Sequence, residues 1–250
     1  MKIEHPGPAE IPGLKQLWKA AFADEDAFID RFFAVAFASQ RCCCVTEQDA
    51  VVAAAYWFDV EFAGKQAAYV YAVATAPEHR GKALCRKLMA HIHSRLAGLG
   101  YAGVMLVPGD PGLREMYGKM GYVNFGGMRE FACAAADVPA PITQISPEEY
   151  ALLRRQHLPA GGVIQEGESL RFLAQFYQFY KGDGFLFAAA STGSELFAAE
   201  LLGTPAHAPH ILAAFGAKSG VFRVPGNEDF AMYHSLDGQP APGYFAFAFD

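Results

Sequence analysis

The sequence predicts a two-domain α/β protein with mixed sheets, and three observations support this fold class. The chain has 250 residues, which is enough for two ordinary hydrophobic cores. Apolar residues make up 52% and charged residues 18% of the composition, as is typical of globular proteins. Short apolar runs of strand length alternate with stretches of helical periodicity along the whole chain.

The first half predicts the element order ααβββαβαβ. Apolar spacing indicates helices over 11–22 and 27–37, and β-branched or small apolar runs indicate strands over 42–46, 51–62 and 67–75. A helix with apolar residues at Leu84, Leu88, Ile92 and Leu96 follows, and glycines end it. A strand over 103–107, a short helix over 113–120 and a final strand pair over 122–125 and 129–133 complete the half.

The second half follows a small-residue, proline-containing stretch over 134–141, so we place the domain boundary between residues 135 and 136. It predicts helices over 147–156 and 168–180, a hairpin over 185–202, a helix over 208–215 and strands over 221–224, 229–235 and 244–249. This order loosely echoes the first half, which favours a degenerate second copy of one fold.

The net charge of −6 is unevenly distributed. Residues 1–136 carry 14 Lys and Arg against 14 Asp and Glu, whereas residues 137–250 carry 6 against 12. This balance argues against a nucleic-acid partner, which requires a basic face. The acidic second half leaves two interpretations open, a cationic small-molecule partner or a surface kept acidic for solubility.

Cysteine usage and hydropathy give expectations about location. Three of the five cysteines are consecutive, Cys42 to Cys44, and lack the spacing at which two thiolates face one metal ion. We therefore expect buried strand cysteines, no metal site and no disulfide framework. The sequence also shows no secretion signal and no apolar run near the ~20 residues of a membrane span, so a cytoplasmic location and no membrane partner are expected.

The segment Tyr69–Leu88 carries the clearest functional signal. A strand ends at Pro77, a short glycine-bearing basic loop follows at 79–82, and a helix begins near Leu84. Free N–H groups and the helix dipole then converge on one point, which suits an anion such as a phosphate. His79 is expected to be exposed. The alternative interpretation is an ordinary strand–helix turn with solvated basic residues.

Together with a second segment at 110–122, this turn resembles the GCN5-related N-acetyltransferase (GNAT) family over roughly residues 3–133. Arg80, Ala83 and Cys85 fall on the fixed places of the family's turn pattern. The places of its second motif are taken by Asp110, Met116, Tyr117, Lys119, Gly121 and Tyr122.

This resemblance implies the GNAT fold, with acetyl-CoA as co-substrate, a small-molecule primary amine as acceptor, and direct acetyl transfer in a ternary complex. The resemblance is also compatible with an oligomeric protein. The implied cofactor-binding residues are Val73, Ala74 and Thr75 on the splayed strand, Arg80, Gly81, Lys82, Ala83, Leu84 and Cys85 at the turn, and Asp110. Ala83, Cys85 and Asp110 differ from the usual residues of the pattern, which keeps a non-catalytic acyl-CoA-binding module as the alternative.

The resemblance also implies that Tyr117 protonates the departing CoA thiolate, because a phenol can give its proton to a more basic leaving group. The general base is left open between Glu61, Asp59, Glu78 and a chain of waters, with Glu61 as the choice among the side chains. The C-terminal carboxylate at Asp250 is a further candidate.

Overall fold

A computed structural model of the chain describes residues 1–249, so Asp250 lies outside the described residues. The elements of the first half are β1 (Lys2–Glu4), α1 (Ile11–Phe22), α2 (Asp26–Val35), β2 (Cys42–Glu47), β3 (Ala50–Phe62), β4 (Lys65–Thr75), α3 (Leu84–Gly98), β5 (Gly103–Leu106), α4 (Pro111–Gly118), β6 (Val123–Phe125) and β7 (Met128–Ala134). Those of the second half are β8 (Thr143–Ile145), α5 (Pro147–His157), α6 (Gly167–Leu173), β9 (Gln178–Gly182), β10 (Phe185–Ser191), β11 (Glu195–Leu202), α7 (Ala208–Phe215), β12 (Ser219–Pro225) and β13 (Ala231–Ser235).

The strands form two mixed sheets, which confirms the predicted fold class. One sheet has the order β1-β2-β3-β4-β5-β13-β6 and the other the order β7-β12-β11-β10-β9-β8. In the first sheet, β2, β3 and β4 form an antiparallel meander. The pair β4–β5 is parallel, as is β11–β12 in the second sheet.

The chain forms two compact units, and neither is one continuous segment. One contains residues 1–122 and 233–240, and the other contains residues 123–232 and the described residues from 241 onward. The predicted boundary at 135/136 divides the chain into two continuous domains, whereas each of these units contains two separate segments. The division into functional domains 1–135 and 136–250 therefore stays a prediction.

The predicted pairing of the strands over 122–125 and 129–133 is wrong. β6 lies in the first sheet beside β13, whereas β7 lies in the second sheet and pairs with β12 over seven residues. Gly126 and Gly127 separate the two strands, and a side chain at either position would collide with neighbouring backbone. This close backbone approach replaces the hairpin that the sequence suggests.

Two further predictions in the second half are corrected. The helix predicted over 168–180 ends at Leu173, because the aromatic-rich segment after it forms β9 and Tyr180 pairs with Phe187 of β10. The strand predicted over 244–249 is an irregular buried segment instead. Its Tyr244 C=O accepts a hydrogen bond from the N–H of Val163, which lies outside the named strands.

The core of the first unit covers both faces of its sheet. Trp18 of α1 packs on Phe32 of α2 with ring centroids 4.6 Å apart, and on Tyr56 of β3 at 5.1 Å. The buried face of α3 is formed by Leu84, Leu88, Met89, Ile92 and Leu96. Among residues 1–249, no helix combines the length and the apolar character that crossing a membrane requires.

Candidate active site

A bulge interrupts β4 three residues before its end. Ala54 of β3 pairs with Ala74 and Tyr56 pairs with Tyr71, so Ala72 and Val73 together face the one intervening β3 residue. Ala72 adopts a left-handed conformation with φ of +50°, although it is not a glycine. The bulge removes the backbone groups of this segment from the regular ladder to β3.

On its other side β4 separates from β5 just before the bulge. The two strands pair only at Ala68 with Val104 and at Tyr69 with Met105. The predicted pantetheine-binding residues Val73, Ala74 and Thr75 lie beyond this point, where β4 has no strand partner on the β5 side among the described pairings. The result is an open strand edge, which can accept an extended ligand in the manner of an added strand.

The predicted phosphate turn lies between this strand and α3. A short 3-10 turn, Pro77–His79, leads into Arg80, and the exposed residues Gly81, Lys82 and Ala83 follow it. Gly81 has φ of +75° and Ala83 has φ of +57°. Two left-handed residues within three positions allow successive N–H groups to point outward from the turn, which favours an anion.

The first turn of α3 supplies further free N–H groups. The bond from Lys87 N–H to Ala83 C=O closes the first helical turn at 3.1 Å, so the N–H groups of Leu84 and Cys85 precede the intrahelical ladder. The helix dipole adds partial positive charge at the same end. The guanidinium of Arg80 donates through Nε to the Thr75 C=O at 3.3 Å, which places its charge between the turn and the open strand edge.

Tyr117 of α4 lies beside this helix end. Its hydroxyl is a hydrogen-bonding partner of the Cys85 thiol, and its side chain is buried with 5% exposure. Burial raises the pKa of Tyr117 above its ordinary value, and the neighbouring Cys85 raises it further. Tyr117 is therefore a neutral phenol at physiological pH and keeps a proton to donate.

The pKa of the Cys85 thiol is shifted upward, whereas a catalytic thiol has a lowered pKa. Burial raises the pKa of Cys85, although the hydrogen bond from Tyr117 acts in the lowering direction. A thiol that holds its proton is a poor nucleophile.

Asp110 has a structural role that the sequence did not show. Its carboxylate accepts a hydrogen bond from the Leu113 N–H at 2.8 Å and so caps the N-terminus of α4. A contact from Asp110 to a cofactor stays a prediction.

The candidates for the general base are scattered. Glu61 pairs with Gln66 beside the β3–β4 hairpin turn, seven residues along β3 from Ala54, which corresponds to roughly 24 Å. The structure therefore does not bring Glu61 to the opening beside Val73. Asp59 accepts a hydrogen bond from the Tyr101 hydroxyl at 2.7 Å, and Glu78 is an exposed turn residue. Asp250 lies outside the described residues.

Two interactions near the site were not predicted. His79 is not exposed as expected, because its side chain is 16% exposed and its Nε2 lies 2.9 Å from Glu47 Oε2. His93 Nε2 lies 2.7 Å from the hydroxyl of Tyr122. Each pair joins residues about 30 positions apart in sequence, and no local pattern reports such a contact.

The second sheet repeats the strand arrangement without the turn. β11 and β12 pair in parallel from Glu195 with Ser219 to Ala198 with Phe222, and a register shift follows in β11. The 3-10 turn Pro205–His207 then runs directly into α7. The residues that correspond to 80–83 are missing, so within the described residues the second sheet presents no comparable anion-binding turn.

Comparisons with known proteins agree with this geometry. The sequence model of the acetyltransferase (GNAT) domain family matches residues 2–124. The search of curated proteins found no match.

Solved structures resemble almost the whole chain. A GCN5-related N-acetyltransferase from Anabaena variabilis superposes with a TM-score of 0.76 at 14% identity, covering 94% of this chain and 73% of that one. For one from Kribbella flavida the TM-score is 0.73 at 16% identity, with 94% and 71% covered. Eis1 from Mycobacterium abscessus gives 0.69 at 14% identity, with 95% and 74% covered.

At these identities the structural likeness establishes the fold, and it extends over both halves of the chain. The family match, the splayed and bulged β4 and the glycine-bearing turn all fall within the same segment. Residues 2–124 are therefore a domain of the GNAT acetyltransferase family, carried by a chain with the GNAT fold in a tandem arrangement.

Proposed function

We propose that this protein is an N-acetyltransferase that moves the acetyl group of acetyl-CoA to a primary amine by direct attack in a ternary complex. The observation that carries the proposal is the opening beyond the Tyr69–Met105 pair, which ends at a helix N-terminus with free N–H groups. An extended arm with an anionic group at one end fits this combination of features.

In the proposed complex the pantetheine arm lies along Val73, Ala74 and Thr75 and bonds with backbone groups that face the open edge of β4. The pyrophosphate rests on N–H groups of the segment 81–85, and Arg80 and Lys82 add charge-assisted contacts. The methyl group of Ala83 stands where the family pattern has glycine, so the phosphate approaches this turn less closely than it would approach a glycine.

The chemical step follows from this placement. The amine nitrogen attacks the thioester carbonyl carbon, and a backbone N–H near Val73 stabilises the negative charge on the carbonyl oxygen. The C–S bond then breaks, Tyr117 donates its hydroxyl proton to the departing sulfur, and the Tyr117 phenolate regains a proton from water. Because the position of Glu61 does not suit proton removal from the amine, that proton leaves through water in this scheme.

The acceptor in this proposal is a small-molecule primary amine of cationic character. The support is the excess of 12 acidic over 6 basic residues in positions 137–250. Acidic surfaces raise the local concentration of cationic ligands and their rate of association.

The test combines binding and turnover. Thermal unfolding is measured with and without acetyl-CoA, and CoA release is then followed with a panel of primary amines for wild type, Tyr117→Phe and Tyr101→Phe. Acetyl-CoA at a hundred times its dissociation constant should stabilise the protein by about 2.7 kcal/mol. Tyr101→Phe is the matched control, since it also removes the hydroxyl of a mostly buried tyrosine of the same unit, one bonded to Asp59.

We expect turnover with at least one amine and a fall of about 10²-fold or more in kcat for Tyr117→Phe alone. The absence of any thermal shift would contradict both cofactor binding and catalysis. A shift without turnover on any amine would instead support the acyl-CoA-binding module, for which the departures at Ala83, Cys85 and Asp110 provide the argument.

A further inference from the structure

The contact between His79 and Glu47 joins two parts of the first unit that are separate in sequence. Glu47 is the last residue of β2, and His79 directly precedes the segment 80–83. A carboxylate can only accept hydrogen bonds, so the His79 Nε2–H donates to Glu47 Oε2 over 2.9 Å. The His79 side chain is 16% exposed, whereas Glu47 is 41% exposed.

Glu47 is held in place by a tight hairpin. Gln48 and Asp49 are the two residues of the turn between β2 and β3, and both have positive φ, +50° and +63°. A two-residue turn of this conformation fixes the register of the strands that it joins. The carboxylate of Glu47 is therefore presented from a rigid strand end.

The segment that carries His79 has few other attachments. Ala76 N–H donates to the Val52 C=O at 2.9 Å, and the remaining backbone bonds, from His79 to Ala76 and from Arg80 to Pro77, are internal to the short turn. His79 Nδ1 lies 3.5 Å from the exposed Glu78 and makes no hydrogen bond among the described residues. The bond to Glu47 is thus the side-chain attachment that ties His79 to the sheet.

We propose that His79 is a positioning residue for the cofactor: by donating to Glu47 it fixes the turn whose N–H groups hold the pyrophosphate. This inference rests on the proposed acetyl-CoA site and adds a residue that the family's turn pattern does not contain. His79 itself touches neither the thioester nor the acceptor in this arrangement. Its loss therefore changes cofactor affinity and leaves the chemical step unchanged.

The experiment measures the dissociation constant of acetyl-CoA by calorimetry and the steady-state KM and kcat for four single variants. They are His79→Ala, His79→Gln, Glu47→Ala and Lys65→Ala. Lys65→Ala is the matched control, because it breaks the 2.7 Å ion pair of Lys65 with Asp237 at the opposite end of β4. The double variant of His79→Ala and Glu47→Ala completes a double-mutant cycle.

We expect His79→Ala and Glu47→Ala each to raise the dissociation constant and KM by about fivefold, with kcat unchanged. The double variant should bind no more weakly than either single one. His79→Gln should keep near wild-type affinity, since the amide nitrogen of glutamine can take the place of Nε2 as donor. Lys65→Ala should bind as wild type does.

Unchanged affinity in both alanine variants, additive losses in the double variant, or a lower kcat at saturating acetyl-CoA would overturn the inference. If His79→Ala does not fold, Glu47→Ala against Lys65→Ala decides it in the same way. Failure of the proposed function looks different, because wild type would then bind no acetyl-CoA at all.

Discussion

Tyr69 of β4 pairs with Met105 of β5, and this is the last pair between the two parallel strands. Beyond it the edge of β4 over 73–75 is open, so amide hydrogens that face this edge exchange with solvent. We predict that acetyl-CoA slows hydrogen exchange in a peptide covering 73–75 by about tenfold, because pantetheine bonds replace solvent. The segment 68–69, already paired on both sides, is the internal control. Unchanged exchange over 73–75 in the bound protein would contradict this role of the strand.

Ala83 carries a side chain in a backbone conformation that favours glycine, with φ of +57°. Replacing Ala83 by glycine relieves the contact of its Cβ with the backbone, at the cost of a more flexible unfolded chain. We expect Ala83→Gly to raise the free energy of unfolding by about 0.5–1 kcal/mol, measured by chemical denaturation. The affinity for acetyl-CoA should rise with it.

The control is Ala90→Gly. Ala90 is exposed in the middle of α3, the helix that Ala83 directly precedes. Glycine at this position should lower the free energy of unfolding by about 1 kcal/mol, whereas Ala83→Gly should raise it. Equal destabilisation by the two variants would show that the conformation of Ala83 is not strained.

His93 makes folding stability depend on pH. Burial, aided by His234 stacked 4.3 Å away, lowers the pKa of His93 to about 4 from its ordinary value of 6.5. Between these two values the unfolded chain binds a proton that the folded chain does not. Stability is therefore complete above pH 6.5 and falls as the pH is lowered toward 4, by at most about 3 kcal/mol.

The measurement is chemical denaturation at several pH values for wild type, His93→Gln and His91→Gln. His93→Gln should flatten the loss of stability between pH 6.5 and 4. His91 is exposed on the same helix, so His91→Gln should keep the wild-type slope. An unchanged slope in His93→Gln would assign the acid sensitivity to other groups.

Glu200 is the centre of a buried polar network in the second unit. Its carboxylate accepts from Arg154 at 2.6 and 2.9 Å, from the Tyr150 hydroxyl at 2.8 Å and from the Tyr244 hydroxyl at 3.0 Å. Glu200 is also the first paired residue after the register shift in β11. Ala74 is the first paired residue after the corresponding shift in β4. The second sheet thus has a charged residue at a strand position where the candidate cofactor site has a methyl group.

We predict that Glu200→Gln destabilises the protein by about 3–5 kcal/mol, since it leaves the Arg154 charge buried without a counterion. Glu130→Gln is the control, because it weakens the partly exposed pair with Arg223 and should cost at most about 1 kcal/mol. Denaturant titration of both variants measures the difference. A cost below 1 kcal/mol for Glu200→Gln would mean that the network contributes little.

Local patterns predicted the elements better than they predicted their partners. The helices over 11–22 and 208–215 have the predicted bounds, because apolar periodicity is a local signal and Gly216 ends the second of them. The exchange of β7 and β13 between the sheets was missed. Which strand pairs with which depends on contacts distant in sequence, which no window of residues records.

In the candidate site, too, local segments were predicted and contacts between distant residues were missed. The turn at 80–83 and Tyr117 were predicted because both belong to recognisable segments, and their roles stay predictions. Glu61 was chosen by residue type, and only the β3–β4 register shows that it lies at the hairpin end. His79 was expected to be exposed. Its contact with Glu47 was missed because the two residues lie 32 positions apart in sequence.

The most direct test of the account is calorimetric titration of acetyl-CoA into wild type, Gly81→Val and Gly64→Val. Both glycines have left-handed conformations, with φ of +75° and +72°, and open space where a side chain would point. The two substitutions therefore carry similar backbone strain, but only Gly81 lies in the proposed pyrophosphate turn, whereas Gly64 lies in the β3–β4 hairpin. We predict one site per chain in wild type and Gly64→Val, and about tenfold or weaker binding in Gly81→Val. Equal affinity of the two variants, two sites per chain, or no binding by wild type would contradict the account.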